Sequence, residues 1–134
     1  MADATINITA CDNELYLNAV NSGWSQSYQL AHIESGNSNS VDVTVTVTAG
    51  TYNEPATLNG VSGPLNQSQS YTVSLPAGTY YLLPIGINWA SSQQFIVTLN
   101  GTTYSLPLTT PDGQVPTVVW NPSTATSPIT FSIS

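Results

Sequence analysis

The segment Ser40–Gly50 reads SVDVTVTVTAG, and its apolar and polar residues alternate almost without a break. A period of two is the side-chain period of a β-strand, because successive side chains point to opposite faces of the sheet. Every odd position from Val41 to Val47 is valine, so these side chains predict a face buried in a core. The opposite face carries Asp42, Thr44, Thr46 and Thr48.

Ten further segments have the composition of short strands, and no stretch has helical periodicity with capping residues. Many short strands separated by Gly, Pro and Asn are typical of sandwiches and barrels. The sequence predicts an all-β fold, an antiparallel β-sandwich of Ig-like or jelly-roll type with about 8–11 strands, in a single domain spanning 1–134. The predicted strands are Ala4–Thr9, Glu14–Val20, Ser27–Ile33, Val41–Ala49, Ala56–Asn59, Ser70–Leu75, Thr79–Ile87, Gln94–Leu99, Thr102–Leu108, Thr117–Trp120 and Ile129–Ile133.

Two turns suggest which strands pair. Asn100 and Gly101 lie between two β-rich runs, and Asn-Gly is the preferred pair for a type I′ hairpin turn. The segment Tyr71–Leu83 predicts a second hairpin around its Pro-Ala-Gly turn. Pro84 interrupts the hydrogen-bond ladder after that hairpin, which is typical of an edge or a bulge and predicts that one long strand crosses between the two sheets.

The chain has no Lys and no Arg, against seven carboxylates and one His, and its net charge is −7. Nucleic-acid binding depends on basic side chains that neutralise phosphates, so we expect no nucleic-acid partner. A chain without Lys or Arg offers no cleavage site to trypsin-like proteases, which favours a secreted or surface-acting protein. The sequence has no apolar run of membrane-spanning length, and its first residues lack the basic and apolar regions of a signal peptide, so we expect neither a membrane span nor a signal peptide in this sequence.

Catalytic chemistry has few candidates. His32 and Cys11 are the only residues of their types, and the nucleophile motif G-x-S-x-G is absent. A Ser-His-Asp triad would have to use His32, whose position in a predicted strand favours a structural role. Pairs of carboxylates such as Glu34 and Glu54 carry no specific spacing. We therefore expect a protein that is not an enzyme.

A calcium site is a weaker hypothesis. Asp12, Asn13 and Glu14 stand together in a predicted turn before a strand, and Ca²⁺ prefers oxygen ligands on loops. The spacing of an EF-hand loop is absent, and Asp and Asn are also ordinary turn formers.

The tryptophans are the strongest indication of a binding site. Trp24 lies in the polar segment NSGWSQS, and Trp89 follows a predicted strand. Aromatic faces stack on sugar rings, while amide and carboxylate groups bond to sugar hydroxyls, and a neutral sugar needs no basic residue. The alternative is that both tryptophans cap the ends of the core. The predicted ligand-binding residues are Trp24, Trp89, Asn88, Gln93 and Asp112.

Three classes of function remain open. The first is a non-enzymatic, lectin-like protein that binds a glycan without a required cofactor. The second is a structural or self-assembling subunit of a fibre, pilus or coat, which would form homo-oligomers through the Thr44, Thr46 and Thr48 face or through an edge strand. The third is a membrane-active β-sandwich toxin with aromatic residues at the lipid interface.

Overall fold

The described part of the chain is all-β and contains eleven strands. A computed structural model describes residues 3–34, 41–59, 68–88, 95–105, 117–118 and 129–134. Among these residues no helix is long and apolar enough to cross a membrane. The strands are β1 (Ala4–Cys11), β2 (Glu14–Asn21), β3 (Ser27–Glu34), β4 (Val43–Ala49), β5 (Thr57–Asn59), β6 (Gln69–Leu75), β7 (Gly78–Asn88), β8 (Phe95–Leu99), β9 (Thr102–Ser105), β10 (Thr117–Val118) and β11 (Ile129–Ile133).

The strands form two sheets that are not closed into a barrel. The first sheet has the order β6-β4-β1-β8-β9, and the second has the order β10-β7-β2-β3-β5, with β11 also paired to β7. Two pairings are parallel, β4 with β6 and β3 with β5, and the other described pairings are antiparallel. The predicted β-sandwich is confirmed, with the addition that each sheet is mixed.

The valine side of β4 lies in the core. Val43, Val45 and Val47 are fully buried, and Val41 is nearly so. Burying one such side chain contributes about 1.5–3 kcal/mol, so this strand supplies a substantial part of the core. The interpretation of the alternating segment is therefore confirmed on its apolar side.

The two sheets approach closely where β7 crosses β8. The Phe95 side chain of β8 lies over Gly86 of β7, and a Cβ atom at Gly86 would lie 2.9 Å from the Phe95 ring. Phe95 is 1% exposed. The glycine thus makes room for an aromatic ring from the opposite sheet.

One predicted hairpin is confirmed and the other is wrong. Leu99 pairs with Thr102 across Asn100 and Gly101, which have φ angles of 49° and 85°. These positive angles are those of a type I′ turn. The turn before Gly78 instead joins β6 of the first sheet to β7 of the second, so Tyr71–Leu83 connects the two sheets.

Pro84 lies within β7, which stays in the second sheet along its whole length. Pro84 is opposite Leu17 of β2. On its other edge, β7 pairs with β11 as far along as Leu82, and it pairs with the described part of β10 only at Ile87 and Asn88. Pro84, which has no N–H to donate, therefore falls between the described parts of these two partners.

The outward side of the first sheet carries neutral polar side chains, and we call it the hydroxyl face. Asn7 donates to Thr44 Oγ1 at 2.9 Å, and the hydroxyls of Thr98 and Thr103 lie 2.9 Å apart. These hydrogen bonds join side chains on neighbouring strands. The threonines of β4 are half-buried. One row of this face crosses all five strands and consists of Ser70, Thr44, Asn7, Thr98 and Thr103.

Candidate functional site

The loop between β2 and β3 is held by the Asn21 side chain. Its Oδ1 accepts hydrogen bonds from the backbone N–H groups of Ser25 (2.8 Å) and Gln26 (3.0 Å), and its Nδ2 donates to Ser25 Oγ (2.8 Å). The Ser22 N–H donates to the Thr79 carbonyl at 3.0 Å and ties the loop to β7. An Asn side chain that satisfies loop amides in this way fixes the loop without a regular ladder.

Trp24 lies at the tip of this loop and is exposed. Its φ angle is 58°, in the left-handed region that bulky L-residues rarely adopt. The Trp24 N–H donates to the Asn21 carbonyl at 2.9 Å, which stabilises this conformation. The indole is 62% exposed. The interpretation of Trp24 as a cap on the core is therefore wrong.

The Trp24 indole rests on a second aromatic ring. It stacks on Tyr81 of β7 with ring centroids 4.7 Å apart and an interplanar angle of 20°. Stacking of this kind contributes about 0.5–1.5 kcal/mol and restricts the rotation of the indole. We call this pair the aromatic platform.

The other predicted ligand-binding residues do not join the platform in the described part of the chain. Asn88 ends β7 beside Thr117, seven positions beyond Tyr81. Seven residues of extended strand span about 23 Å, so Asn88 and Trp24 lie towards opposite ends of the second sheet. Trp89, Gln93 and Asp112 lie outside the described residues.

A separate cluster of titratable side chains lies at the far end of β2. His32 Nε2 is 2.7 Å from Glu14 Oε1 and 3.4 Å from Glu34 Oε1. The His32 and Glu14 side chains are only 14% and 13% exposed, and that of Glu34 is 42% exposed. We call these three residues the Glu-His-Glu cluster. Because the chain has no Lys or Arg, His32 is the only basic side chain that these carboxylates can contact.

Tyr16 completes the surroundings of the Glu-His-Glu cluster. Its ring stacks on the His32 imidazole with centroids 4.0 Å apart. The pKa of Tyr16 is raised by a hydrogen bond to Glu14, then by burial, and then by the negative charges of Glu14 and Glu34. The stacked ring and the pairing across β2 and β3 fix the orientation of the imidazole.

The three residues proposed as calcium ligands lie in different environments. Asp12 and Asn13 are buried at the turn between β1 and β2, at 5% and 2% exposure, whereas the Glu14 carboxylate is bound to His32. Burial raises the pKa of Asp12. A calcium site at these residues stays a prediction.

Cys11 is buried beside this turn. Its thiol lies 3.7 Å from the Asn13 carbonyl and 3.8 Å from the Ile33 carbonyl. A fully buried thiol next to carbonyl oxygens behaves as a small core residue rather than as a nucleophile.

Sequence reasoning missed the Glu-His-Glu cluster, because the cluster depends on an irregular register between β2 and β3. Glu14 and Glu34 are equidistant from Trp24 along the chain, and they pair directly across β2 and β3. Tyr16 and His32 form the next outward pair. The loop NSGWSQ closes the hairpin with Val20 opposite Ser27, and an unbroken ladder from that pair would place Glu14 opposite Ile33. A register shift between Leu17 and Asn18 moves the pairing by one residue and puts all four residues on one face.

The chain was compared with known proteins in three ways. No family model, no curated protein and no solved structure matches it.

Proposed function

We propose that the protein is a non-enzymatic, lectin-like protein that binds a neutral carbohydrate on the aromatic platform. The observation that carries this proposal is the exposed indole of Trp24 in a left-handed backbone conformation. Such a conformation costs a bulky residue roughly 1 kcal/mol or more, and exposure of the indole returns little burial energy. A residue held this way at a cost to stability is typical of a ligand-binding position.

The chemistry of the loop suits a sugar. One face of the indole lies on Tyr81, and the exposed remainder is free to stack on the C–H groups of a pyranose ring. Exposed polar side chains at Ser22, Ser25 and Gln26 surround Trp24 and offer hydrogen bonds to hydroxyl groups. An apolar surface with a few polar groups at its rim is the usual composition of a small-molecule site.

The charge of the chain favours an uncharged ligand. With a net charge of −7, the protein has no Lys or Arg side chain with which to pair a sialic acid, sulfate or phosphate, and His32 is already engaged by Glu14 and Glu34. We therefore expect neutral hexoses and N-acetylhexosamines to bind better than acidic glycans.

A glycan array tests this proposal. We expect the wild type to bind at least one neutral glycan, and Trp24→Gly to lose that binding. The Gly variant keeps the loop conformation because glycine adopts a positive φ without a steric cost. Its free energy of unfolding should change by less than about 1.5 kcal/mol, since the relieved strain offsets the lost stacking. Tyr81→Phe, which keeps the supporting ring, is the control and should retain binding.

Absence of binding to every neutral glycan on the array would contradict the proposal. Equal binding by the wild type and Trp24→Gly would contradict the assignment to Trp24.

The hydroxyl face supports a second candidate, self-assembly into a homo-oligomer or a fibre. Its central row is neutral across all five strands, so two copies could approach there without repulsion between carboxylates. Sedimentation velocity over a range of concentrations tests this candidate. We expect association that Thr46→Glu abolishes by adding a charge to the face, and a monomer at every concentration would contradict it.

A further inference from the structure

We propose that the Glu-His-Glu cluster is a binding site for a divalent transition-metal ion, with Zn²⁺ as the best-fitting species. The three ligand atoms, one from each of Glu14, His32 and Glu34, all lie within 4.8 Å of one another. This site is separate from the aromatic platform, and the inference does not depend on the proposed function.

The distances fit a tetrahedral ion. Zn–N and Zn–O bonds of about 2.0–2.2 Å place neighbouring ligand atoms of a tetrahedral ion about 3.3–3.6 Å apart. His32 Nε2 is 2.7 Å from one carboxylate oxygen and 3.4 Å from the other. Since no two of the three ligand atoms are more than 4.8 Å apart, rotation of the Glu side chains would bring them to a common ion, and the fourth position would remain for water.

The donor types select the metal. One imidazole nitrogen with two carboxylate oxygens is a mixed donor set, which suits Zn²⁺ and its neighbours in the first transition row. Ca²⁺ and Mg²⁺ prefer oxygen ligands alone and in larger number. The set therefore discriminates against the hard cations.

The surroundings favour a cation and fix its ligands. The chain holds no Lys or Arg to neutralise the two carboxylates, and His32 alone carries at most one positive charge. Glu14 and Glu34 are directly opposite on β2 and β3, and His32 is held between them by its stack on Tyr16. A divalent ion bound here would cross-link β2 to β3.

Calorimetric titration of EDTA-treated protein with zinc chloride at neutral pH tests the site. We expect the wild type to bind one ion, and Glu34→Gln and His32→Gln to bind at least about tenfold more weakly. Glu54→Gln is the matched control, because it makes the same change at an exposed carboxylate outside the cluster, and its affinity should equal that of the wild type. If His32→Gln does not fold, Glu34→Gln carries the comparison, since its side chain is the most exposed of the three.

Two further measurements identify the ligands and separate this site from the platform. Cobalt chloride should give visible absorption bands of tetrahedral Co²⁺ that disappear on acidification, because protons compete for the imidazole nitrogen. Trp24→Gly should keep full metal affinity. The absence of saturable binding to the wild type, or equal affinity of Glu34→Gln and Glu54→Gln, would overturn the proposal.

Discussion

Tyr71 places a polar hydroxyl group in buried surroundings. Its ring packs against the core from β6, and its hydroxyl is buried without a hydrogen-bond partner among the described residues. Burial raises the pKa of Tyr71 to about 12. Tyr80 offers a direct comparison, because its hydroxyl donates to the Pro76 carbonyl.

Tyr71→Phe should therefore leave the free energy of unfolding unchanged or raise it by about 1 kcal/mol, since it removes an unpaired polar group. Tyr80→Phe should lower it by about 1 kcal/mol, because it leaves the Pro76 carbonyl without its donor. Urea denaturation of both variants measures the difference. A loss of stability in Tyr71→Phe as large as that in Tyr80→Phe would show that the Tyr71 hydroxyl has a partner.

Asp12 makes stability depend on pH. Because burial raises its pKa in the folded protein, the unfolded chain loses this proton at lower pH than the folded chain does. The protonated Asp12 carboxyl therefore contributes its full share to the free energy of unfolding below the unfolded pKa of about 3.9. That contribution is lost as the pH rises through the higher pKa of the folded protein. At neutral pH the buried carboxylate therefore costs stability.

Asp12→Asn removes that cost, so the variant should be more stable than the wild type at pH about 7, and the difference should shrink towards pH about 3. Urea denaturation at both pH values measures this. A difference that is the same at both values would show that ionisation of Asp12 is not its cause.

At the scale of elements, strand positions were predictable and some pairings were not. Alternation located β4 and its buried valines from local sequence alone. The Asn100-Gly101 hairpin was predictable because the turn residues themselves require positive φ angles. The Pro-Ala-Gly turn has a positive φ only at Gly78 and does not specify a hairpin, so the pairing of β6 with β4 and of β7 with β2 decided which strands it joins. The register shift in the β2–β3 pair, which no residue type signals, brought Glu14, His32 and Glu34 together.

The contact between β7 and β8 gives an element-scale prediction. Gly86→Ala should lower the free energy of unfolding by about 1–3 kcal/mol, because the new methyl group overlaps the Phe95 ring in the opposite sheet. Gly23→Ala is the control, since a Cβ atom there meets nothing within 4 Å. Thermal or urea denaturation measures both variants. Equal stability of the two would mean that the sheets can separate at Gly86 without cost.

At the scale of the whole molecule, the absence of Lys and Arg means that side-chain ion pairs contribute little to the stability of the fold. The described core consists of apolar side chains from both sheets, and the described ion pairs all involve His32. The outward surfaces differ, since the first sheet carries the hydroxyl face and the second carries the aromatic platform and the Glu-His-Glu cluster at opposite ends of β2. None of the proposed sites requires a Lys or Arg side chain, in agreement with the composition.

The most direct test of the account is a proton–nitrogen correlation spectrum recorded during titration with neutral sugars such as galactose, mannose and N-acetylglucosamine. The indole signal of Trp24 is identified by its loss in Trp24→Gly. We predict that this signal and the backbone amide signals of Ser25 and Gln26 shift with a saturable dependence on sugar concentration, while signals of Tyr16 and His32 do not move. Sugar binding that leaves the Trp24 indole unmoved, or no shift with any neutral sugar, would contradict the central claim.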